Sequence, residues 1–93
     1  MACIYVTRNE WEADAQVFHA PHEDLADLSY FQVHHEDEAY GDTIWYFVSN
    51  ADKADLRIHY VHDEDLADLR IFRARSCDHA RWLSESLWQG AIG

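Results

Sequence analysis

Ninety-three residues with 18 acids against seven Lys and Arg carry a net charge of -11, and 48% of the chain is hydrophobic. That length closes one modest core, and such apolar content excludes a disordered acidic chain. The charge opposes direct binding to nucleic acid or anionic membrane, and no run of about 18 apolar residues is present to span a bilayer.

The chain opens on the strand-like "CIYV" at residues 3–6, with Ile4 and Tyr5 at its centre. A bend at Asn9-Glu10 leads to Ala13-Asp14, and Val17-Phe18 begins a second strand ending at Ala20. His22-Glu23-Asp24 form the next bend, "EDLADL" (23–28) runs into it, and Tyr30-Phe31 and Val33 make a third strand. After His35-Glu36-Asp37 and Ala39, two extra residues, Tyr40 and Gly41, delay the aspartate to Asp42, before Trp45-Tyr46 and Val48. Asn50, Asp52 and Ala54-Asp55-Leu56 precede Ile58-His59 and Val61; Asp63-Glu64-Asp65 and a second "EDLADL" (64–69) precede Ile71-Phe72 and Ala74. Ser76, Asp78, Ala80 and Arg81 start another unit, and "SESLWQGAIG" lies beyond it.

Alanines at 13, 26, 39, 54, 67 and 80 thus mark a period of 13 with one two-residue insertion. A helix advanced by 13 residues is about 140° out of phase, so successive units would share no buried face. Short strands avoid that drift. The expected fold is therefore all-β, a 13-residue β-repeat domain of six to seven strands spanning 1–93, with the repeat in 3–82 and a tail in 83–93. The Ile4/Val17/Tyr30/Trp45/Ile58/Ile71 column and the adjoining Tyr5/Phe18/Phe31/Tyr46/His59/Phe72 column are both assigned to the interior. Each recurrent alanine is assigned to close passage of neighbouring backbone.

Asn9, His22, His35, Asn50, Asp63 and Ser76 occupy the bends because Asn, Asp and His tolerate positive φ, and Asn, Asp and Ser bond their own backbone. The aspartate after the alanine is expected to accept turn amides. From Asp78 a short helix is predicted, with Ala80, Leu83 and Leu87 on one side and Gly90 as its stop. Ala80 and Trp82 also fit a last repeat. Trp82 and Trp88 are expected to cap the repeat.

The pattern Ala-Asp-Leu-x-[Ile/Val]-[Tyr/Phe]-x-Val, from "CIYV" through "ADLRIHYV" and "ADLRIFRA", resembles the bacterial septoil-knot domain family over residues 3–82. The resemblance implies a deeply knotted backbone with seven crossings and no assigned activity, so it supplies no catalytic residues. The Tyr40-Gly41 insertion, Arg81 and the tail depart from the pattern.

Among candidate sites, His22, His35 and Asp63 are the metal-ligand set, in "HEDL", "HHEDE" and "HDEDL", donors suited to zinc or nickel. The turn column shared with Asn9 and Asn50 already accounts for His22 and His35, and the carboxylate rim as a calcium site lacks glycine-rich loops. Cys77 with His79, and His59 beside Tyr60, are the catalytic candidates. An acidic surface disfavours a thiolate, and His59 is read as a satisfied strand histidine. Cys3 and Cys77 are both read as buried and reduced.

No cofactor fingerprint is present, and the expectation is a non-enzymatic binding or scaffold domain, cytoplasmic and monomeric, with protein the open partner class. Divalent metal binding is the alternative. A third reading, an acidic decoy of nucleic acid, rests on a charge of -10 in residues 1–52 against -1 in 53–93.

Overall fold

The 13-residue period is the pitch of a ring of parallel strands. The computed structural model describes residues 2–86 and 88–92. Its strands are β1 (Ala2–Val6), β2 (Ala15–His19), β3 (Leu28–Val33), β4 (Ile44–Phe47), β5 (Leu56–Tyr60), β6 (Leu69–Arg73) and β7 (Arg81–Trp82). One 3-10 turn stands in each connection: Glu10–Glu12, Glu23–Leu25, Glu36–Glu38, Ala51–Lys53, Glu64–Leu66 and Cys77–His79. The sheet runs β4-β1-β5-β2-β6-β3, and β3 also pairs with β4, which closes the barrel. Closure leaves the first six strands no free edge. The molecule measures 33 × 32 × 21 Å, near-equal in two directions as a ring of like units requires.

The chain circles this ring twice. β1, β2 and β3 take alternate places, and β5 and β6 fill the gaps between them. Another advance of two places from β3 would return to β1, so β4 advances one place and lies directly beside β3. The inserted Tyr40 and Gly41 make that step: Tyr40 and Ile44 exchange backbone hydrogen bonds around a tight turn, with Gly41 at φ +57°. Gly41 needs its missing Cβ for that left-handed conformation. The insertion is thus the transfer from first circuit to second.

Neighbouring strands are offset by two residues, as in Ile4↔Leu56, Ile58↔Ala15, Val17↔Leu69 and Ile71↔Leu28. This offset packs the column of Ile4, Val17, Tyr30, Trp45, Ile58 and Ile71 against Ala2, Ala15, Leu28, Leu56 and Leu69, all buried. Burial contributes roughly 1.5–3 kcal/mol for each large side chain among them. The expectation for the second aromatic column is corrected here. Adjacent strand residues point to opposite faces, so Tyr5, Phe18, Phe31, Tyr46, His59 and Phe72 lie on the outside, half-buried.

The bends are also corrected, because no non-glycine residue among those described has positive φ. Asn9, His22, His35, Asn50, Asp63 and Ser76 are instead extended residues that open the 3-10 turns. Only Asn50 and Asp63 cap with their side chains, accepting from the Asp52 and Asp65 amides at 3.0 Å. The recurrent alanines close the turns in extended conformation; Ala26 and Ala39 are buried, and the other four are half-buried.

No α-helix starts at Asp78. The segment continues the repeat instead, as the Cys77–His79 turn followed by β7, whose Trp82 pairs antiparallel with Leu28. Leu87, assigned to the helix face, lies outside the described residues. The tail then returns to the barrel through Asp42, whose carboxylate accepts from Trp82 Nε1 at 3.2 Å, the Gly90 amide and the Ile92 amide at 3.2 Å. Trp82 and Trp88 pack against the core, which Ile92 enters at 1% exposure. The aspartate displaced by the insertion therefore anchors the tail. Ile92→Ala is expected to lower stability by about 2 kcal/mol, read from the urea midpoint with an unchanged slope, because it empties a buried position of the core.

Candidate functional site

Parallel strands need crossovers, and here each crossover is only about eight residues long because the strands are short. Residues 7–14 pass over β5, 61–68 over β2, 20–27 over β6, 48–55 over β1 and 74–80 over β3. Each arch is pinned to the strand it crosses. At its start Thr7, Val61, Ala20, Val48 and Ala74 donate backbone N–H to Ile58, Val17, Ile71, Ile4 and Tyr30 at 2.6–2.9 Å.

At four arch ends the recurrent aspartate makes a reciprocal clamp. The Asp14, Asp27, Asp55 and Asp68 amides donate to the carbonyls of Arg57, Arg70, Cys3 and Gln16 at 2.7–2.8 Å. The amides of those same four residues donate back to the carboxylates at 2.8–3.0 Å. The sequence predicts turn amides as the donors to these aspartates; the donors are instead strand amides 43 or 52 residues away, which join one circuit to the other. A charge-assisted bond to a strand amide is worth more than a neutral one, which accounts for aspartate at this place.

A cleft of about 500 Å³ lies between the Glu23–Leu25 turn and β7. Arg70 donates there to Asp27 from Nε at 3.2 Å and Nη2 at 3.0 Å, and from Nη1 to Glu64 at 2.8 Å. Arg81 meets Glu23 at 3.3 Å, and Ser84 Oγ donates to Asp27 at 2.9 Å. Burial pushes the Asp27 carboxyl up, but the hydrogen bonds from Arg70 and Ser84 and the guanidinium charge outweigh it and hold the group below its ordinary range. Those bonds to Asp27, then that to Glu64, raise the Arg70 guanidinium above its own. Both guanidiniums of the cleft are thus engaged by carboxylates.

The metal candidates sit on three separate connections. His22 and Asp63 open turns of the neighbouring arches 20–27 and 61–68, while His35 stands in the link from β3 to β4, beyond residues 74–80. Among the described residues, no group of three or more His, Cys, Asp or Glu side chains is placed to hold a metal. His59 is half-buried, and its Nδ1–H donates to the Thr7 carbonyl at 3.0 Å across the arch above it. His79 Nδ1 is engaged with Ser76 Oγ at 2.8 Å.

Both cysteines are free. Cys3 is buried, and burial, then the charges of Asp55 and Glu36, raise its thiol. Cys77, expected inside, is exposed, because it begins a 3-10 turn on the outer surface.

The outer surface also carries residues that the column reading passed over. Trp11 is 85% exposed, Leu66 64% and Leu25 50%. The signal was present in the turn alignment. The second turn residue is aspartate in every turn except Trp11's, and the third is Glu, Lys or His except at Leu25 and Leu66.

These features define a class: a closed parallel barrel wound twice from one short repeat and pinned by aspartates between circuits. The chain belongs to the 7(1) septoil knot domain family, whose model matches residues 1–83. The anchored tail after that point is outside the match. No curated protein and no solved structure matches the chain. Among the described residues, no helix is long and apolar enough to cross a membrane.

Proposed function

We propose that this protein is a non-enzymatic binding domain that offers its outer arches to a protein partner. The pinning of each arch at its start, with aspartate clamps closing four of them, carries this reading. The recurrent Ala-Asp-Leu-x-Ile letters are spent on the frame, so individuality is left to the exposed turn residues. A fixed loop loses little conformational freedom on binding, which favours recognition over catalysis on such a surface. The polar groups best suited to chemistry are committed elsewhere: Arg70 to Asp27 and Glu64, His59 to Thr7, His79 to Ser76.

The acidic-decoy reading loses its motivating asymmetry. Residues 1–52 and 53–93 alternate around most of the ring, so the charge difference along the chain is not a difference between two faces. Immobilised full-length protein should retain a partner stoichiometrically from lysate, and the complex should re-form from purified components with a saturable isotherm. Cross-links from that complex should fall on the arches. Absence of any such partner overturns the reading.

A further inference from the structure

Three of the large apolar side chains left exposed, Trp11, Leu66 and Leu25, stand on arches that cross β5, β2 and β6. Those strands are consecutive in the barrel, so the arches are neighbours. Two contacts confirm their continuity. Gln16 of β2 donates from Nε2 to the Glu10 carbonyl of the first arch at 3.2 Å. Arg70 of β6 joins Glu64 of the second arch to Asp27 of the third.

Scattered exposed apolar residues are ordinary, but three on neighbouring arches, each where most other turns carry a polar or charged residue, single out one face of the molecule. Their setting is acidic: Glu10, Glu12, Asp14, Glu23, Asp24, Asp27, Asp63, Glu64, Asp65 and Asp68 lie on these three arches, whose own Lys/Arg complement is Arg8, and Arg70 and Arg81 meet only Asp27, Glu64 and Glu23 of the ten. The charge selects the occupant. A Lys/Arg-rich segment would gain attraction at the rim, and its apolar side chains would cover the tryptophan and leucines. Nucleic acid and anionic membrane are repelled by the same field.

Resting on the binding-domain reading, we propose that the Trp11–Leu66–Leu25 face docks a basic, amphipathic segment of another protein. The probe is a synthetic helical peptide of Lys and Leu, titrated into the full chain at about 0.15 M salt, where the Debye length is near 8 Å. Saturable binding is expected, weakened at least about tenfold by Trp11→Ser with Leu25→Ser and Leu66→Ser. These side chains are exposed, so the variant should keep its far-UV spectrum and urea midpoint. Tyr40→Ser, at a 78% exposed tyrosine on the β3–β4 link, should bind like wild type.

A Lys/Ser peptide of equal charge should bind weakly and be released by salt. Equal binding of the two peptides, an unaffected triple variant, or no saturable binding overturns the proposal. So does a dimer in sedimentation that the triple variant abolishes, since the face would then belong to a second copy. If a stoichiometric partner is retained by the triple variant, this face is wrong while the binding-domain reading stands. If no partner is found at all, the reading itself fails.

Discussion

Trp45→Ala is expected to remove a large share of the domain's stability. Trp45 is fully buried, stacked on Tyr30 with ring centroids 4.4 Å apart and met edge-on by Phe47 at 6.0 Å. Its Nε1–H donates to the Asp42 carbonyl at 2.6 Å, tying the core to the turn that carries the tail's anchor. Truncating so large a buried ring costs about 4–5 kcal/mol, whereas a domain of this size holds roughly 5–14 kcal/mol in total. Urea unfolding followed by far-UV circular dichroism should show an early, shallow transition or none. Trp45→Phe keeps most of the packing and should lose about 1–2 kcal/mol. A loss below about 1.5 kcal/mol for the alanine variant would show that the barrel does not depend on this ring.

Asp27→Ala should be the most damaging of the clamp substitutions, at about 2 kcal/mol, because it strands the Arg70 amide and releases a partly exposed guanidinium, whose own share is small. Asp14, Asp55 and Asp68 are more exposed residues than Asp27 and hold no guanidinium, so their loss should cost less. The effect carries a pH signature. The Asp27 carboxyl is lowered in the folded protein, so its contribution is complete above the unfolded value of about 3.9 and is lost as pH falls through the folded one. Wild-type stability should therefore decline below about pH 4, and Asp27→Ala should decline less steeply there. Urea midpoints between pH 7 and 3 measure both slopes, and parallel curves would remove Asp27 from the account.

The frame was legible because it repeats. Ile4, Val17, Ile58 and Ile71 fill equivalent places, and a 13-residue interval by itself excludes a helix. Three properties were hidden, the first by reading columns without strand alternation and the other two because they depend on partners far along the chain. Tyr5 and Phe72 look as buried as Ile4 and Ile71 in a list of columns, but strand alternation turns them outward beneath the arches. Asp27 looks like a turn residue, although its acceptor role is fixed by Arg70, which only the interleaved strand order brings near. Tyr40 and Gly41 look like an interruption until the ring shows that a fourth strand must advance one place instead of two. The tail's leucine spacing suggested a helix, but the Asp42 anchor and the burial of Ile92 draw that segment across the barrel. Of the surface, only the exceptions at Trp11, Leu25 and Leu66 were recoverable, and reading them needed the turns aligned with one another.

The two-circuit winding also bears on how the molecule is made. Synthesis delivers β1, β2 and β3 first, and these three strands share no ladder with one another. A ribosome-bound chain that has emerged only through residue 43 therefore holds strands with no native neighbour, and the earliest pairing awaits β4. Folding must wait for the later half to be threaded among strands already released, a late and long-range closure. Until then the newborn segment carries its apolar columns uncovered.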